Sequence, residues 1–153
     1  MNKKLTQSLA IALALLSSSG FAATKNIEVK ANIVGTCAFV NADAIKLDFG
    51  SLTEGTAPSP QEAKAEFWCT KGTTVNLTAN EGANAVSSQM NLKSTTGDTE
   101  LIPYALTLSK ASETGAGKSN PIELTVNATM EATAANNKPA GDYTDTVVLT
   151  LLP

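Results

Sequence analysis

Apolar and polar residues alternate along much of this chain, and nothing else in the sequence constrains its fold as much. The pattern is cleanest at residues 25–34, where Ile27, Val29, Ala31 and Ile33 interleave with Asn26, Glu28, Lys30 and Asn32. A period of two is the period of a β-strand, so this stretch has one apolar face and one polar or charged face. Alternation returns at 45–49, where Ile45, Leu47 and Phe49 share a face, and at 75–79, 102–108 and 122–128. Residues 63–69 have helical propensity, but the aromatic pair Phe67-Trp68 and the adjoining Cys69 favour a strand. A short strand is expected around Met90-Asn91-Leu92.

Turn formers separate these stretches. Gly55, Pro58 and Pro60 make 51–60 a loop. Residues 80–100 are polar, 111–120 read as a surface loop, and 131–141 form an Ala/Asn-rich connection. Tyr143 then opens a last strand over 144–152. Short strands spaced by turn signals, with no long helical pattern, predict an all-β immunoglobulin-like sandwich.

The first 22 residues read as a signal peptide. Lys3 and Lys4 start it, and the apolar run 9–16 is too short to span a bilayer. Gly20 and Ala22 place small residues where a peptidase would read them, so cleavage is expected after Ala22. Cleavage after Ala23 would put bulky Phe21 at one of those positions. No later apolar run is long enough for a membrane helix, so no membrane span is expected after cleavage. The 131 residues left (153 − 22) suit one domain with its own core. They carry 14 acids against 9 Lys (11 − 2), a net charge of −5, and no basic cluster points to nucleic acid.

The two cysteines, Cys37 and Cys69, form an even count in an exported chain, which suggests one disulfide. Two Cys and no His cannot build the usual zinc shell. The absence of His also removes the usual triads and His-based acid–base schemes. Gly115-Ala116-Gly117-Lys118-Ser119 ends like a phosphate loop but lacks its spacing and its helix. Glu62 and Glu66 read as solvated acids. No catalytic residue, cofactor or metal is therefore expected, and the chain is not read as an enzyme.

A complete immunoglobulin-like sandwich has seven strands, and its last strand, G, lies beside strand F. Ala140-Gly141-Asp142-Tyr143 has the form of a tyrosine corner, which leads into strand F. If 144–152 is F, no sequence remains for G. The final strand, with Val147, Leu149 and Leu151, would then line an open groove of apolar side chains and unpaired backbone. A spare amphipathic strand sits at the other end of the chain.

Together these features resemble the spore coat protein U-type domain of archaic chaperone–usher pilus subunits. The matching residues are Ile27 through Ile33, Gly35-Thr36-Cys37, Leu47-Asp48-Phe49-Gly50, Phe67-Trp68-Cys69-Thr70 and Ile102-Pro103-Tyr104-Ala105-Leu106. The ending Ala140-Gly141-Asp142-Tyr143-Thr144-Asp145-Thr146-Val147-Val148-Leu149-Thr150-Leu151 completes the set. The resemblance implies an incomplete sandwich lacking its last strand, made of a signal peptide (1–22), a donor-strand extension (23–35) and a pilin domain (36–153). It implies a disulfide Cys37–Cys69 that ties the base of the extension to the sandwich. A periplasmic chaperone lends a strand during export. At the outer-membrane usher, residues 24–34 of the next copy replace it, with Ile27, Val29, Ala31 and Ile33 filling sub-pockets of the groove. The expected partners are thus other copies of the chain, a chaperone and an usher, and the expected destination is a pilus at the cell surface, reached through the periplasm. Attachment and biofilm growth are the roles implied. A shaft subunit is favoured over a tip adhesin, because there is no room for a receptor-binding domain.

The alternative is a self-contained secreted sandwich, for example one that binds carbohydrate. That function needs an aromatic platform. Phe39, Phe49, Phe67, Trp68, Tyr104 and Tyr143 are the aromatics after the signal peptide, and most stand at core-like alternating positions.

Overall fold

The structure is a computed structural model that describes residues 21–97 and 99–153. Most of the expected signal peptide therefore lies outside the described residues. The chain divides after Asn32 into a leader and a body that starts at Ile33.

In the leader, residues 21–32 join no strand. Ile27 and Val29 are 85% and 88% exposed, and Glu28 pairs with Lys30 at 2.7 Å.

The body is all β. Its strands in chain order are β1 (Cys37–Phe39), β2 (Gln61–Cys69), β3 (Thr74–Ala79), β4 (Met90–Ser94), β5 (Leu101–Leu108), β6 (Ser112–Thr114), β7 (Ile122–Thr129), β8 (Tyr143–Thr144) and β9 (Leu149–Leu152). One sheet has the order β1-β2-β7-β5-β4-β8 and the other β6-β3-β9. Every pairing between them is antiparallel.

Alternation sets which side chains face inward. Val75 and Leu77 on β3 are buried, while Asn76 and Thr78 face solvent. Leu124, Val126 and Ala128 do the same on β7, and Ile102 and Tyr104 on β5. Phe67, Val75, Leu77, Leu124 and Val126 meet in one core cluster drawn from both sheets. A second cluster joins Ile102 and Tyr104 to Met130, just after β7, and to Ala134 of the 131–141 connection. The disulfide Cys37–Cys69 links β1 to β2 at directly paired positions, with Cα atoms 4.1 Å apart.

Three expectations need correction. Residues 45–49 form no ladder, although Leu47 and Phe49 are half-buried against the two clusters as their alternation requires. The segment has apolar anchors but no neighbouring strand to bond. The loop at 111–120 contains β6, three polar residues held only by pairing with β3. The single last strand is broken: β8 pairs with β4, whereas β9 pairs with β3 in the other sheet. Asn80 bridges the break, since its side-chain Oδ1 accepts from Val148 N at 2.8 Å where a ladder would use a backbone carbonyl.

Candidate functional site

The body carries an apolar groove of about 410 Å³ beside its final segment. One wall is the ladderless segment with Ile45, Leu47 and Phe49, and the other carries Val147 and Leu149. The floor comes from β5 and β7, through Leu106, Leu108, Val126 and Ala128. β9 is an edge strand, paired with β3 on one side only. Val147, just before it, makes no hydrogen bond among the described residues, and neither do Ile45, Leu47 and Phe49. The groove thus presents the two things an added strand requires: apolar pockets and free backbone groups on both sides.

Asp145 organises the polar end of the groove. Tyr104 Oη donates to Asp145 Oδ2 at 2.7 Å, and Asn84 donates to Oδ1 through its backbone N (3.1 Å) and its Nδ2 (3.0 Å). Burial, then the bond to Asp145, push the Tyr104 phenol well above its ordinary value. Gly82 allows this approach: its φ is +87°, and a Cβ there would run into the Asp145 carboxylate. Tyr143 Oη donates to Pro139 O at 2.9 Å, four residues back. This is the tyrosine corner expected from the sequence, and it turns the chain into the final segment.

The body is therefore a sandwich with the tyrosine-corner entry to its final strand and an empty slot beside that strand. The family model for the spore coat protein U domain matches residues 23–150. The chain belongs to the spore coat protein U domain family. Its fold also resembles the crystal structure of the CsuC–CsuE chaperone–tip adhesion subunit pre-assembly complex from archaic chaperone–usher Csu pili of Acinetobacter baumannii. The TM-score is 0.51 at 18% identity, over 78% of this chain and 40% of that one, so this chain spans less than half of the matched length. A chaperone–tip adhesin complex of CFA/I fimbriae matches at TM-score 0.44 and 16% identity, over 78% of this chain and 41% of that one. Comparison with curated proteins returned no match. Fold and family agree on an all-β, immunoglobulin-like sandwich.

Within this spore coat U domain, Val147 and Leu149 line the groove, whereas Leu151 lies further along and packs on the core cluster of Phe67 and Leu124. Ile27, Val29, Ala31 and Ile33 are all exposed and unladdered in the single chain. Cys37 and Cys69 are joined. Sequence reasoning missed the Asp145–Tyr104–Asn84 node. The Asp at 145 is visible in the ending motif, but nothing local announces a partner 41 residues away. No group of three or more metal-ligating side chains is present among the described residues, and no described helix is long and apolar enough to cross a membrane.

Proposed function

We propose that this chain is a structural pilus subunit, the repeating unit of a shaft, that polymerises head-to-tail by strand exchange. The observation that carries the reading is the groove between two unladdered walls in the body of a chain whose leader is amphipathic and exposed. A repeating subunit needs both a strand to give and a slot to receive one, and this chain carries both. Residues 1–22 act as a signal peptide, 23–35 as the extension and 36–153 as the pilin body. Residues 24–34 of one copy enter the groove of the next, with Ile27, Val29, Ala31 and Ile33 facing its floor and with Val147, Leu149 and Leu151 on the facing segment. Burying three bulky side chains at roughly 1.5–3 kcal/mol each yields about 5–9 kcal/mol, to which small Ala31 adds little. Backbone bonds along the strand add to this, as in β-augmentation. The contact is heterologous and does not close, so it grows a filament.

Before assembly the slot requires another occupant. A periplasmic chaperone lends that strand, and an outer-membrane usher is the site of exchange. This agrees with the chaperone–subunit complex named for the similar solved structure. The route runs through the periplasm to the cell surface, where the pilus supports attachment and biofilm growth.

Val29→Asp is the test. A carboxylate buried in an apolar slot is costly. Filaments should vanish in electron micrographs while the variant is still exported and keeps the native monomer's circular dichroism spectrum. Filaments of normal length and abundance would refute the proposal.

A further inference from the structure

Two exposed lysines stand at one end of the body and a group of carboxylates at the other, and the chain enters the body at the first. Gly35 sits on Thr73, where an added Cβ would lie 2.7 Å from its Oγ1, and Thr70 N donates to Thr36 O at 2.8 Å. The same end includes the 115–118 turn, since Gly72 N donates to Gly115 O and Gly117 N to Cys69 O. Lys71 and Lys118 are exposed there, and neither forms an ion pair among the described residues; Lys118 only overhangs the Trp68 ring at 5.3 Å. β3 runs antiparallel to β9 with Asn76 opposite Leu152. The leader therefore departs beyond the C-terminal end of β9.

The groove opens at the other end, into a crevice of about 900 Å³ bordered by Asp48, Glu54, Asp142 and Asp145. Lys138 also borders it but is bound to Glu100 at 2.7 Å. The uncommitted cations nearby are Lys46, which lines the groove, and Lys93, paired in register with Thr144. Four carboxylates against two lysines leave this end negative.

We infer that a second copy docks here through its body as well as its leader, with its Lys71 and Lys118 end seated against the Asp48, Glu54 and Asp142 crevice. The inference rests on the strand-exchange reading and adds a second surface to the joint. Only Val34 separates Ile33 from Gly35, so the donor's body must follow its strand closely. A strand antiparallel to β9 delivers the donor's basic end to the acceptor's acidic end. A parallel strand would instead press Lys71 and Lys118 against the same lysines of the acceptor, where the acceptor's own leader departs. Charge thus selects the direction of insertion, and it accelerates encounter in a way that salt suppresses.

The test compares two reactions of the full exported chain: filament growth followed by light scattering, and uptake of a fluorescent peptide with the sequence of residues 24–34. The double variant Lys71→Glu, Lys118→Glu should slow growth about tenfold at low salt, and high salt should erase most of the difference. Peptide uptake by that variant should be unchanged, because the peptide carries no body. Mixing the variant with Asp142→Lys copies should restore growth. Native-rate growth by the double variant, with peptide uptake intact, overturns the body contact and leaves strand exchange standing. Failure of the native chain both to grow and to take up the peptide overturns both.

Discussion

Asp145 shows how one side chain can hold a groove open. Its carboxylate takes three hydrogen bonds, from Tyr104 and twice from Asn84, on the wall of the slot. Tyr104→Phe leaves Oδ2 without its donor in a partly buried site, which should cost about 1–3 kcal/mol in a urea titration at neutral pH. The same bond and the burial around it hold the phenol proton more tightly in the fold than in the unfolded chain. That contribution is fully present below the ordinary tyrosine value of about 10 and is lost as pH rises above it. The native protein should therefore lose stability above about pH 10, and Tyr104→Phe should flatten that decline. Such residues are only partly legible in a sequence. Tyr143 was readable as a corner because its partner, Pro139, is four residues away. Asp145 and Tyr104 are joined only by the fold. Gly115 was readable as a loop glycine, yet its role is close packing: a Cβ there would lie 2.6 Å from Cys69 Cβ and from Thr70 O.

At the scale of elements, the strands with internal reasons to form were legible. β2, β3, β5 and β7 alternate, and they supply most of the core. β6 has no apolar face and exists because β3 offers an edge, a reason that no local pattern carries. Residues 45–49 show the opposite case, with a strand's pattern but no ladder, since no described strand lies alongside to bond it. The break between β8 and β9 depends on Asn80, whose side chain replaces one ladder bond and lets the segment change sheets. β1 is only three residues long and lies at the edge of its sheet, so the disulfide does much of its anchoring. Cys37→Ser with Cys69→Ser releases a loop closed across 32 residues of sequence separation. The loop-entropy model puts the loss at about 3–4 kcal/mol. Equilibrium unfolding of the variant should show that loss, and a change below 1 kcal/mol would mean that the strand pairing alone holds β1.

The body is an all-β sandwich with an apolar groove beside its final segment, and the leader that precedes it is amphipathic and unladdered. A groove beside the final strand could be expected from the sequence, on the tyrosine-corner pattern at 140–143 that marks the strand after it. Its walls, its floor and the acidic crevice at its mouth needed the folded chain, since they join residues from 45 to 149. The most direct test of the central claim uses two versions of the chain, both beginning at Gly35. One ends at Pro153, and the other carries residues 24–34 after Pro153 on a flexible linker. Their thermal unfolding is compared under non-reducing conditions. If the slot needs a strand and the leader can fill it, the second version melts cooperatively as a monomer. A gain of about 5 kcal/mol would raise its midpoint by roughly 15 °C or more above the first. Equal, cooperative melting of both versions would mean that the sandwich is complete without the leader and would contradict the account.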